Sequence, residues 1–173
     1  MKKTKLTPKK IGLMALFVSV GMILQYVEGR IVITTVPGGK LGLANIVTIT
    51  NIFLFGSGNA ILISFLRSFL GTLLSGGISA MPYSITGALL STAVMCIIKK
   101  NCYPRVSMIG MSVVGACVHN LAQVTVAAFI FDSGYIFSYL PLLLVVSVAS
   151  GAVTGYGAQI FGNRVLKMEK DYE

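Results

Sequence analysis

Apolar residues run along this chain in six long blocks separated by short polar or glycine-containing breaks: Ile11–Val27, Leu41–Phe55, Ala60–Leu74, Pro82–Ile98, Ile109–Phe131 and Ile136–Ile160. Blocks of this length without period-2 alternation predict helices, and crossing a bilayer takes about 20 helical residues. The second and third blocks, at about 15 residues each, are short for that. The break between them, Gly56-Ser57-Gly58-Asn59, is as tight as a helical hairpin permits. Either the break residues extend these two helices, or the pair is tucked in behind its neighbours. Glycines recur within and beside the later blocks, for instance at 71, 87, 115, 151 and 155, where small residues let helix backbones approach. The first block follows five lysines within residues 1–10 and could pass for a signal peptide. No small-x-small cleavage pattern follows it, so it reads as an uncleaved first helix. The fold class expected is all-α: a polytopic membrane protein with six transmembrane helices.

Composition agrees with this reading. The 173 residues are 55% hydrophobic and 11% charged, about half the charged share of an ordinary soluble domain. The formal net charge of +9 reflects topology more than nucleic-acid binding, since no basic block is interleaved with aromatics for base stacking. The N-terminal lysines, Lys99, Lys100, Arg105, Arg164, Lys167 and Lys170 fall on one side of a six-span chain. Arg30 and Lys40, with Glu28 and Asp132, fall on the other. Positive charge marks the cytoplasmic side. The expected organisation is therefore a cytoplasmic basic N-terminus (1–10), a single membrane domain (11–162) and a cytoplasmic tail (163–173), in the cell membrane with both termini inside. Three cysteines, an odd number with no CxxC spacing, speak against a disulfide framework.

Ionisable side chains inside a span are costly and mark function by default. Two are found, Arg67 in the third block and His119 in the fifth. At 1.5 Å per helical residue, Arg67 lies about 10 Å and His119 about 15 Å from the cytoplasmic start of its helix. Asn51 comes to a similar level. His119 and Gln123 stack at i,i+4 with Asn120 beside them, and Asn45 and Thr48 share a face three residues apart. An intramembrane amide is often only interhelical glue, about 0.6 kcal/mol, and for Asn51 alone that is the better account. A lone histidine without a second histidine, cysteine or carboxylate at suitable spacing does not make a metal site.

Little supports catalysis. The five acids, Glu28, Asp132, Glu169, Asp171 and Glu173, sit at segment boundaries or in the tail. No acidic cluster can hold magnesium and diphosphate, and neither a P-loop nor a Ser-His-Asp set is present. No cofactor is expected, and nothing ligates haem or an iron–sulfur cluster as an electron-transfer role would need.

Before the second block runs Pro37-Gly38-Gly39-Lys40-Leu41-Gly42-Leu43-Ala44-Asn45, a glycine-rich loop whose backbone can approach a ligand closely, or else a plain connecting turn. This stretch, the Arg67 helix and His119-Asn120-Leu121-Ala122-Gln123 resemble the Gx transporter family. That family is also labelled heptaprenyl diphosphate synthase component I, and it looks related to the substrate-binding S components of energy-coupling factor (ECF) transporters. The resemblance covers about residues 10–162. It implies a six-helix fold and a ligand pocket open to the outside, covered by the loop after the first helix. It also implies docking on an ECF coupling subunit with its ATPases, through small residues of the first helix. Here the nearest match to the usual Ala-x-x-x-Ala is Ala15-x-x-x-Ser19. The candidate substrate contacts are Gly38, Gly39, Lys40, Asn45, Thr48, Asn51, Arg67, His119, Asn120 and Gln123. Two functions follow: a non-enzymatic substrate-binding subunit for uptake of a small molecule, or a non-catalytic membrane partner in heptaprenyl diphosphate and quinone metabolism.

Charge refines the first. A buried guanidinium needs an anion or several oxygen acceptors. With Glu28 and Asp132 at the ends of their helices, no carboxylate is expected at the depth of Arg67, so an anionic substrate would complete the site. The competing possibility is that Arg67 snorkels to the cytoplasmic surface.

Overall fold

The computed structural model describes residues 7–30, 42–75 and 77–171, with side chains of 163 and 165–171 excepted. The described residues form α1 (Pro8–Arg30), α2 (Ala44–Leu74), α3 (Met81–Cys102), α4 (Met108–Ile130) and α5 (Leu140–Asp171), with short 3-10 turns before α3 and α5. Among them there is no strand, and five helices are long and apolar enough to cross a membrane. This is a multi-pass, membrane-type bundle. The expected second and third segments are joined in one element, which corrects the count of six helices.

The reason lies at one residue. The break expected over Gly56–Asn59 narrows to Gly56 alone, at φ 78° and ψ 171°, and Ser57–Asn59 stay helical. Only glycine reaches that backbone region without strain. What the residue does to the chain direction is legible from α1. A Cβ built on Gly21 would meet both Arg67 Cδ and Val47 Cγ1, the latter at 3.5 Å. Roughly twenty residues of straight helix would hold Val47 and Arg67 about 30 Å apart. Moving along α1 from Gly21 to Gln25 advances the second arm of α2 from Arg67 to Gly71. Moving on to Glu28 takes the first arm backwards, from Val47 to Gly42. The two arms therefore run in opposite directions, and α2 folds back on itself at Gly56. Lys99 of α3 attends the fold: its Nζ donates to the Ile52 carbonyl at 2.7 Å and lies 4.5 Å from the Phe53 ring centroid. A cation at the end of a helical arm complements its dipole.

Packing follows from small residues. A Cβ on Gly151 or Gly155 of α5 would come within 2.7 Å of Val113 Cα or 2.6 Å of Ile109 Cα, so α4 and α5 touch backbone to backbone. Inside the bundle, hydroxyls tie helices together: Thr92 donates to Ser64, Ser68 pairs with Ser84, and Ser112 pairs with Thr154. Each such bond contributes about 0.6 kcal/mol in a bilayer. Large apolar side chains such as Leu142, Val145, Val153 and Phe129 point outward, as hydrocarbon surroundings require. Helix α1 packs on α2, and its Phe17 ring reaches Phe161 of α5, at 6.4 Å between centroids.

Candidate functional site

A polar cavity lies where the end of α1 meets both ends of the α2 hairpin, the first turns of α3 and the middle of α4. Arg67 forms its base. The arginine stem crosses α1 at Gly21, and in return the Gln25 amide packs over Gly71 of α2, about 3.1 Å from where a Cβ would stand. This reciprocal pair of notches lets two long polar side chains pass between helices that otherwise pack closely. Arg67 is 4% exposed; its Nη1 reaches Gln25 Oε1 at 3.4 Å, and Nε has no hydrogen-bond partner. It does not snorkel to a surface.

Glu28 overturns the expectation drawn from counting acids. The residue is 6% exposed, lines the same cavity, and is near enough for its charge to act on Arg67. The depth count failed because it treated residues as points on untilted helices. An arginine side chain reaches several ångströms, and Arg67 sits only about two helical turns from the end of α2 at Leu74. Glu28 accepts a hydrogen bond from the Gly42 amide, and Gly42 holds φ 78° with its Cβ position 3.2 Å from Asn45 Nδ2. Both the left-handed backbone and that contact call for glycine. The Asn45 side chain lines the cavity, and its Nδ2 is buried without a partner.

From α4 come His119 and Asn120. Asn120 Nδ2 donates to Ser147 Oγ at 2.7 Å, and Ser147 Oγ donates onward to the Leu143 carbonyl at 2.6 Å. Because that hydroxyl proton is committed, the nitrogen side of the amide must face Ser147, leaving Asn120 Oδ1 without a partner. Ser68 and Ser84 close the wall with Ala88 and Ala116. The cavity volume is about 20 Å³, room for one or two waters.

Of the expected contacts, Asn45, Arg67, His119 and Asn120 thus share one cavity. Thr48 does not line it and returns its hydroxyl to the Ala44 carbonyl at 3.1 Å. Asn51 and Gln123 are buried with both amide atoms unpartnered, also away from the lining. Gln123 instead packs against Gly87 beside His119. Gly38, Gly39 and Lys40 lie outside the described residues. Ala15 and Ser19 face away from the bundle, and Ser19 Oγ bonds the Ala15 carbonyl. Four polar lining side chains escaped the sequence reading: Gln25, Glu28, Ser68 and Ser84. A signal for two of them existed, since Gly21, Gln25 and Glu28 fall on one face of α1 at helical spacing.

A second cavity, about 240 Å³, opens between α1, the first arm of α2 and α5; Leu16, Phe17, Val20, Leu24, Ile46, Val47 and Phe161 make it wholly apolar. Among the described residues no group of three or more His, Cys, Asp or Glu side chains could hold a metal.

Chemically, the polar cavity offers a fixed cation, a carboxylate, amides and hydroxyls in a nearly dry setting, which suits holding a small polar molecule. No curated protein and no solved structure matches the chain. The family model for heptaprenyl diphosphate synthase component I matches residues 17–161, from α1 through α5 and including every residue of the cavity wall. The chain belongs to the heptaprenyl diphosphate synthase component I family.

Proposed function

We propose that this protein is a non-enzymatic, membrane-embedded substrate-binding subunit for uptake of a small molecule that presents an anionic group to Arg67. The observation that carries the reading is Arg67 itself, buried to 4% exposure with Nε unpartnered in the wall of a polar cavity. A permanent charge cannot escape burial by losing its proton, so it is retained where something must meet it.

The two arms of α2 count as separate crossings in this reading, for six in all, in one membrane domain over residues 11–162. Lys10 stands 5.9 Å from the Phe55 ring centroid, and Lys99 bonds Ile52. These contacts support grouping the start of α1, the Gly56 fold and the end of α3 at one end, which its lysines assign to the cytoplasm. The cavity then opens outward. Energy would come from an ECF-type coupling subunit and ATPases docked on the Ala15–Ser19 face of α1.

The family description favours a second reading, a membrane partner in heptaprenyl diphosphate metabolism. The apolar cleft beside α1 would then accept hydrocarbon. One experiment separates the two: affinity purification from native membranes of the wild type and Arg67→Gln, with mass spectrometry of bound proteins and small molecules. Coupling and ATPase subunits, with a polar small molecule lost in Arg67→Gln, support uptake. A soluble prenyl diphosphate synthase bound equally by both forms overturns it.

A further inference from the structure

We infer that the apolar cleft beside α1 holds an acyl chain of an anionic phospholipid, whose phosphate is met by Lys10 and Arg164. The inference holds whatever the polar cavity binds. The cleft, about 240 Å³, is lined by side chains of α1, α2 and α5 that carry no polar atom. Water has no partner there, and an empty cleft forfeits the dispersion contacts of its walls. Leu16, Val20 and Phe161 are also exposed on the outside of the bundle, so the cleft opens sideways to the bilayer. Its volume equals about eight water volumes, room for a stretch of one hydrocarbon chain.

Charge selects the lipid. Phe17 meets Phe161, whereas Ile46, on the same wall of the cleft, stands 3.3 Å from the Cβ position of Gly157, and Val47 stands 3.5 Å from that of Gly21. Rising along α1 therefore means descending along α5, and the start of α1 shares one end of the bundle with the end of α5. At that end Lys10 lies two turns before Phe17 on the same side of α1, and Arg164 lies one turn after Phe161 on the same side of α5. Lys10 Nζ stands 5.9 Å from the centroid of the Phe55 ring, which itself packs on Phe17. Among the described side chains the carboxylates are Glu28 and Asp132, and both belong to the opposite end. Depth fits as well. Measured from Lys10, the cleft runs from about 9 Å at Leu16 to about 21 Å at Leu24, and a bilayer with its headgroups is about 40–45 Å thick. A phosphate at Lys10 thus sets the lower half of its acyl chain in the cleft, ending near the midplane.

The chain contains no tryptophan, so Phe161→Trp places a single fluorophore in the cleft wall. The full-length variant is reconstituted in phosphatidylcholine vesicles containing increasing amounts of phosphatidylglycerol or phosphatidylcholine brominated in mid-chain, which quenches the indole on contact. Each cation near an anionic headgroup contributes roughly fivefold. Half-quenching is therefore expected at a mole fraction of phosphatidylglycerol at least tenfold lower than of phosphatidylcholine. Adding Lys10→Gln and Arg164→Gln should bring the two lipids to within about twofold of each other. Val145→Trp, on the exposed side of α5, should be quenched alike by both lipids. Leu16→Trp, on the exposed wall of α1, repeats the measurement in the same cleft if Phe161→Trp does not fold. Equal quenching by the two lipids in the cleft, or an equal phosphatidylglycerol preference at Val145→Trp, overturns the inference. So does a preference that survives loss of both cations. Relief of the phosphatidylglycerol quenching by an equimolar prenyl diphosphate also overturns it, by showing that the cleft selects a prenyl chain.

Discussion

Gly21 offers the sharpest test of how this cavity is built. A methyl group added there would stand only 3.0 Å from Arg67 Cγ and closer still to Cδ. Ordinary carbon–carbon contact is about 3.5–4.0 Å, so something must give by roughly an ångström or more. Two relaxations are open. The arginine stem can leave its rotamer, at about 0.5–1.5 kcal/mol, which draws the guanidinium off Gln25. Alternatively, α1 can be pushed from α2, an overpacking cost of about 1–3 kcal/mol. Gly21→Ala should therefore lower stability by about 1–3 kcal/mol and disturb the cavity together. The decisive comparison is a double-mutant cycle with Arg67→Ala, which removes both clashing carbons. If Gly21 exists to house that stem, the double mutant should be more stable than the sum of single effects predicts by at least about 1 kcal/mol. Reversible unfolding in mixed micelles, followed by circular dichroism, measures all four corners. Additivity within about 0.5 kcal/mol would refute the notch as the reason for glycine at this position. Gly71→Ala serves as a milder control, since only the end of a flexible glutamine stands about 3.1 Å away.

Other consequences can be measured separately. Gly56 has no atom within 4 Å of its Cβ position, so Gly56→Ala tests backbone conformation without crowding; a cost of about 1–3 kcal/mol is expected, and a neutral effect would mean the fold of α2 does not depend on φ 78°. In a cysteine-free background, a cysteine at Ser133 should react with an impermeant thiol reagent added to intact cells, while one at Asn101 should not. Labelling of Asn101 from outside would reverse the proposed orientation. Ala15→Leu, on the exposed face of α1, should block assembly with a partner and leave ligand affinity of the isolated protein unchanged. A complex that survives the change removes this face from the docking surface.

Much of this protein is written in the order of its residues. The membrane-type helices, the place where the second block stops and the third begins, and the polar side chains Asn45, Arg67, His119 and Asn120 were all legible, because hydropathy and the rarity of charge in a span are one-dimensional signals. What stayed hidden depends on rotation about helix axes and on side-chain reach. These helices are apolar around most of their circumference, so periodicity does not mark which face turns inward. Hence Gln123 and Asn51, which look like site residues, lie off the cavity, while Ser68 and Ser84 line it. Glu28 was assigned to the end of its helix, where a carboxylate meets water. Packing of Gly21 against Arg67, and of Glu28 against Gly42, instead carries the two opposite charges into one cavity. That meeting arises from the side-by-side packing of α1 on both arms of α2, which no count along a single helix contains.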